Sequence, residues 1–175
     1  MKNLIFLFVF LIFTCSGGED ANAQNHDDIF TIYLVRHSEK DLESNNSSNP
    51  PLSECGQIRS ENLRRFFKDV PLEVIYSTDY IRTTTTAMPT ATAKELGIEN
   101  YNAEHLKEFS ELLLDRKQNA LVVGHSNTTG VLAGLLNNEN LEAYDSDIYD
   151  RIYQVVIYND KARLHLLHMP LDCID

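Results

Sequence analysis

The 175-residue sequence predicts an α/β fold, a three-layer sandwich in which a mostly parallel sheet carries helices on both faces. Three observations point there. Short apolar runs alternate with longer segments of helical spacing along most of the chain. The runs, such as "IYLV" and "ALVVG", are near-continuous rather than alternating, as strands buried on both faces require. The last two strand-like segments are joined by a tight turn and read as a strand pair added at an edge.

Each element has a local reason. Ile29 to Val35 is rich in β-branched and aromatic residues and predicts the first strand. The polar segment "ESNNSSNPP", Glu43 to Pro51, is a loop, after which Ser53 or a near neighbour caps a helix to about Lys68. Ile58, Leu63, Phe66 and Phe67 are expected on its buried face. Val74 to Tyr76 is a short strand, and "STD" at 77–79 marks the start of a helix that runs to about Leu96 and stops at Gly97. Pro89 is expected to kink or split that helix. A weak strand at Ile98 to Tyr101, a helix from Glu104 to Arg116, a strand at Ala120 to Gly124 and a helix at Thr128 to Leu136 follow. Tyr153 to Tyr158 and Arg163 to His168 are the closing strands, joined at "NDKA". No repeat, linker or long low-complexity tract interrupts the series, so residues 24–175 read as a single domain.

The first 23 residues read as a secretory signal peptide: Lys2, an apolar run from Leu4 to Phe13, and small residues in "ANAQ" around a cleavage point after Ala23. Ten apolar residues are about half of the roughly 20 that span a bilayer, so no membrane span is expected in the mature chain. Cys15 offers a second reading, a lipid-anchored protein, although "IFT" lacks the small residues expected before a lipidated cysteine; an uncleaved anchor is the third. All three place the domain outside the cytoplasm, periplasmic or secreted. Cleavage removes Lys2, Glu19 and Asp20, so the net charge goes from −11 to −10. An acidic domain with no basic run is a poor nucleic-acid binder, and an anionic substrate must be held by a local cluster of cations. Cys55 and Cys173 remain, either bridged or as two thiols, and no cysteine or histidine grouping has zinc-site spacing. No cofactor is expected.

In a parallel sheet, ligands sit beyond the carboxyl ends of the strands. Arg36 and His37 follow the first strand, Arg82 opens the helix after "VIYS", and His125 follows "ALVVG". Topology thus brings two arginines and two histidines to one edge. That set suits a phosphoryl group: the guanidinium fork grips phosphate oxygens in pairs, and the helix after "GHSN" points its N-terminus at the same place. A neutral imidazole can then attack phosphorus to give a phosphohistidine.

These residues resemble the histidine phosphatase superfamily and its phosphoglycerate mutase-like fold. "LVRHSEK" looks like the family's strand followed by Arg-His, with Ser38 where glycine is usual. "PLSECGQIRSENL" is similar to its second motif, with Ser60 in place of alanine. "IYSTDYIRTTTTA" and "LVVGHSN" resemble the third and fourth, so the likeness runs in order from Tyr33 to about Leu136. The resemblance implies that His37 is the phosphorylated nucleophile, that Arg36, Arg82 and His125 hold the phosphoryl group with Ser126 beside them, and that an acidic residue protonates the leaving group. Glu104 in "YNAEH" is the candidate acid, with Asp79 and Glu39 as competitors. Small members of the family act on protein phosphohistidine or sugar phosphates, so the partner implied is a phosphorylated small molecule or a phosphoprotein.

Other classes stay open. His37, Glu39 and His125 are a conceivable metal set, against which Arg36 would repel a cation. A phosphate-binding module without catalysis is another reading. A mutase is a third, although the loops at 36–53 and 96–120 leave little chain for the cap it needs.

Overall fold

A computed structural model describes residues 29–171. The signal-peptide segment, Cys15 and Cys173 lie outside them. In chain order the elements are β1 (Ile29–Arg36), α1 (Glu54–Phe66), β2 (Val74–Ser77), α2 (Ile81–Lys94), β3 (Ile98–Asn100), α3 (Leu106–Arg116), β4 (Ala120–Gly124), α4 (Thr129–Asn137), β5 (Arg151–Tyr158) and β6 (Lys161–His168).

The strands form one mixed sheet in the order β3-β2-β4-β1-β5-β6. β1, β2, β3 and β4 are mutually parallel through the pairs β1–β4, β2–β4 and β2–β3, while β5 runs antiparallel to β1 and carries β6 on its far side. The expected terminal strand pair is therefore present, hydrogen-bonded directly to the strand that delivers Arg36. Alternate residues of the inner strands face opposite layers. Ile32, Leu34, Val74, Tyr76 and Val122 pack with α3 and α4 through Phe109, Leu113 and Leu132. Tyr33, Val35, Ile75, Leu121 and Val123 pack with α1 and α2 through Leu63, Phe67, Ala87 and Ala91. Because both faces are covered, "ALVVG" is buried at all five positions, the physical origin of its unbroken apolarity.

Several local expectations need correction. The buried face of α1 is Gly56, Arg59, Ser60 and Leu63, whereas Ile58 and Phe66 are 49% and 39% exposed. Arginine takes an interior place there because Glu39 meets it, as described below. Gly56 is required by close approach: a Cβ on it would stand 2.1 Å from the Glu39 carbonyl oxygen. Ser53 is the N-cap, accepting from Gly56 N–H at 3.1 Å. Pro89 lies inside α2 without ending it, and the helix stops not at Gly97 but on Glu95, which adopts the left-handed conformation with φ 57°. Helix α2 begins at Ile81, and Asp79 does not cap it: the N-cap residue is Tyr80, with no side-chain capping bond. Helix α3 begins at Leu106, so Glu104 belongs to the loop before it rather than to a first helical turn. Cys55 is disulfide-bonded.

Candidate active site

The carboxyl ends of β1, β2 and β4 and the loops that follow them bound a cleft of about 380 Å³. Arg36, His37, Arg82, Glu104, His125 and Ser126 all line it, together with Lys40, Tyr80 and Ser146. All six residues expected from sequence are thus brought to one place from four separate loops or strand ends.

His37 is fixed by backbone alone. Its N–H donates to Gly124 O at 2.9 Å, tying the end of β1 to the end of β4. Its ring Nδ1 stands 2.7 Å from Ser38 O. A carbonyl only accepts, so Nδ1 carries the proton and Nε2 keeps its lone pair. Burial pushes the imidazole pKa down to about 3, aided by the charges of Arg36, His125 and Arg82 against the opposing bond from Ser38 O, so His37 is neutral near pH 7. A neutral ring with a free Nε2 is the form that attacks phosphorus.

Ser38, which stands where glycine is usual in the family the motifs resemble, has no left-handed backbone. Its N–H donates to Thr86 Oγ1 at 2.9 Å, and Thr86 in turn donates to Arg82 O at 2.7 Å. The threonine run of α2 therefore couples the His37 turn to the first turn of the helix bearing Arg82. A side chain fits because the turn needs no positive φ.

His125 is half-buried beside His37, with the ring centroids 5.4 Å apart. Its Nε2 lies 3.0 Å from Thr78 Oγ1, which donates onward to Thr83 Oγ1 at 3.1 Å. Burial, then the charges of Arg82 and Arg36, draws its pKa down to about 4. Gly124 before it has no room for a side chain, since a Cβ there would stand 2.5 Å from the Tyr101 hydroxyl. The expected anion site at the start of α4 needs revision: the N–H groups of Thr128 and Thr129 both turn back to His125 O, at 3.1 and 3.0 Å. Those amides brace the histidine rather than face a ligand.

Neither Arg36 nor Arg82 has an anionic partner among the described residues. Arg36 is 4% exposed, donates through Nη1 to Ser146 O and to Ile148 O (3.0 Å), and lays its guanidinium 3.8 Å from the Tyr149 ring centroid. Arg82 does not pair with Asp79 but stacks 4.3 Å from the Tyr80 ring centroid. The Nε atom of each is buried with no hydrogen-bond partner. An unsatisfied buried N–H on each of two neighbouring cations is costly unless an anion arrives to accept it.

Sequence reasoning missed the loop at 138–150. It supplies the carbonyls that hold Arg36, the Tyr149 face, and Ser146 on the cleft wall. The signal was faint: "EAYDSDIYD" carries two tyrosines in an otherwise polar segment. Of the competing acids, Glu39 is withdrawn by a bidentate pair with buried Arg59, with Arg59 Nη2 to Glu39 Oε1 at 2.6 Å and Nε to Oε2 at 2.9 Å. It lines another cleft, of about 660 Å³, together with Arg59 and Tyr149. With Glu39 engaged, the metal set His37, Glu39 and His125 does not assemble, and no group of three or more His, Cys, Asp or Glu able to hold a metal occurs among the described residues. Asp79 lies outside the cleft. No described helix is long and apolar enough to cross a membrane.

The model of the histidine phosphatase superfamily (branch 1) matches residues 32–113. No curated protein matches the chain in sequence. Among solved structures, the alpha-ribazole phosphatase from Shigella flexneri superposes with a TM-score of 0.66 at 14% identity, over 83% of this chain and 100% of that one. The protein histidine phosphatase SixA complexed with tungstate gives 0.64 at 16%, over 79% and 97%. A mycobacterial glucosyl-3-phosphoglycerate phosphatase complexed with VO3 gives 0.65 at 12%, over 81% and 100%. The fold is the one these phosphatases share, and the stretch that matches the histidine phosphatase superfamily model carries Arg36, His37, Arg82 and Glu104 to the cleft where His125 joins them.

Proposed function

We propose that this protein is a metal-independent phosphatase that hydrolyses a phosphomonoester or phosphoramidate through a phosphohistidine on His37, and that it works outside the cytoplasm. The observation that carries this reading is the pair of arginines, Arg36 buried and Arg82 half-buried, whose enclosed Nε donors have no partner among the described residues, beside a neutral histidine whose Nε2 is unprotonated. Tungstate and VO3, named with two of the similar structures, are oxyanions akin to phosphate and agree with it.

In the first step the Nε2 lone pair of His37 attacks phosphorus and the bond from phosphorus to the leaving oxygen breaks. Arg36, Arg82 and His125 stabilise charge on the three equatorial oxygens, and Ser126 lies at the same wall. Glu104, on the rim, gives its proton to the departing oxygen. In the second step water attacks phosphorus, the P–N bond breaks, and the Glu104 carboxylate takes the water's proton. A mutase would run the same chemistry but return the phosphoryl group to a bound alcohol instead of water. A binding module would stop before the first bond change.

The test is release of inorganic phosphate from p-nitrophenyl phosphate by residues 24–175, with chelator present, alongside His37→Ala. Turnover that survives chelator and is lost in the variant supports the reading. Undiminished turnover by His37→Ala overturns the nucleophile assignment, loss to chelator restores a metal mechanism, and vanadate binding without turnover points to a binding module. Fractionation of cells producing the full chain tests export and separates a soluble product from one anchored at Cys15.

A further inference from the structure

A second cleft, of about 470 Å³, adjoins the phosphoryl site. It is lined by Thr78, Asp79, Tyr80, Asn100, Tyr101, Asn102, Ala103 and Glu104. Tyr80, Ala103 and Glu104 belong to both clefts, so the two are continuous across the proposed proton donor. Tyr80 is a shared wall: one part of its surface is taken by the Arg82 guanidinium at 4.3 Å, its ring meets His125 edge-on at 5.1 Å, and 41% of it remains exposed. Tyr101 is 8% exposed, and its buried hydroxyl has no hydrogen-bond partner, ending near Thr128 of the first cleft but outside hydrogen-bonding geometry.

The chemistry of the two clefts is opposite. The first gathers Arg36, Arg82 and Lys40. The second has two carboxylates, two primary amides, one hydroxyl, two phenols and no cation among its lining residues. Among the described residues the Asp79 and Asn100 side chains make no hydrogen bond, and Asn102 commits only its Oδ1, to Glu104 N–H at 2.9 Å. Free carboxylate and amide groups beside an aromatic face suit hydroxyls on a compact ring or chain, while a second carboxylate or phosphate on the substrate would meet Asp79 with no cation to offset it.

We infer that this cleft receives the leaving group, and that the substrate is a phosphate monoester of an uncharged sugar or polyol carrying no second anionic group, an inference that rests on the phosphatase reading above. Asp79 and Asn100 then determine specificity by accepting from and donating to hydroxyls, and Glu104 sits where the departing oxygen crosses from one cleft to the other.

The experiment compares kcat/KM for glucose 6-phosphate, 3-phosphoglycerate and phosphocholine, with p-nitrophenyl phosphate as reference, in the wild-type domain, Asp79→Asn and Asp79→Lys. The wild type is expected to favour the sugar phosphate at least ~10-fold over each of the others. Asp79→Lys is expected to shift the ratio of 3-phosphoglycerate to sugar phosphate upward by ~10-fold or more, and Asp79→Asn by less. Turnover of p-nitrophenyl phosphate with no preference for the sugar phosphate, a preference for phosphocholine, or a ratio that Asp79→Lys leaves unmoved overturns this inference while the phosphatase reading stands. No turnover of any of the four removes both. Asp79 is exposed and unbonded, so both variants are expected to fold, which matched thermal midpoints verify.

Discussion

Two buried arginines, Arg36 at the end of β1 and Arg59 in α1, are each 4% exposed, yet they are built in opposite ways. Arg59 is complete: Glu39 takes its Nε and Nη2, and Met169 O takes its Nη1 at 3.0 Å. Arg36 meets two carbonyls and an aromatic ring, its Nε has no acceptor, and it makes no ion pair among the described residues. A buried cation with its counter-ion supplied is structural. One without it carries an uncompensated cost, which on the function proposed above an incoming anion removes. Arg82, half-buried with its Nε enclosed and unpartnered, sides with Arg36, so the three arginines, indistinguishable as letters, divide two to one in environment.

The largest test of this contrast is Arg36→Met against Glu39→Gln. Arg36→Met is expected to lower kcat/KM by ~10²-fold or more, as for loss of one transition-state cation. Thermal stability should hold or rise, because an uncompensated buried charge is gone. Glu39→Gln should do the reverse, costing about 3 kcal/mol of stability by stranding Arg59, with the kcat/KM of the folded fraction altered no more than ~3-fold. Denaturant unfolding and steady-state kinetics on the same preparations read both. A large activity loss in Glu39→Gln at full folding would erase the distinction.

Next in size is Glu104→Gln, which should lower turnover of an alkyl phosphate by ~10²-fold and of p-nitrophenyl phosphate far less, because only the poor leaving group needs a proton. Equal losses would assign the proton elsewhere.

The depressed pKa values of His37 and His125 give a stability effect with a defined sign. The native state keeps both rings neutral while the unfolded chain protonates them near 6.5, so unfolding takes up protons as pH falls below about 6.5. Stability should therefore decline on acidification through the window from about 6.5 toward 4, and be insensitive to these groups above it. The double variant His37→Gln/His125→Gln should show a shallower decline over that window in urea titrations. The smallest expected effect is Thr86→Val, which deprives Ser38 N–H of its acceptor and should cost about 1–2 kcal/mol. A drop in activity in step with that loss would show that the strut also positions His37.

Much of the site was legible because its residues sit where strands end. An apolar run stopping at Arg36-His37, Arg82 after "VIYS" and His125 after "ALVVG" are placed by topology, since parallel strands present their carboxyl ends on one edge. Less legible were features set by contacts across the chain. Nothing local to "ECGQIRSENL" says that Arg59 turns inward while Ile58 stays out; that depends on Glu39, twenty residues earlier. Helix boundaries at Glu95 and Leu106 moved because left-handed conformations and loop packing, not propensity, close those elements.

The sequence by itself determined the layered α/β architecture, the order of its elements and the meeting of Arg36, His37, Arg82 and His125 at one cleft, because burial on two faces and strand-end placement are written as local patterns of apolar and charged residues. Only the tertiary structure decided which arginines lack a counter-ion, that Ser38 needs no glycine conformation, that the 138–150 loop backs Arg36, and that an acidic cleft adjoins the cationic one. Each of those depends on distances between residues remote in sequence, and hydrogen bonds and ion pairs form or fail within a few ångströms that no local pattern records.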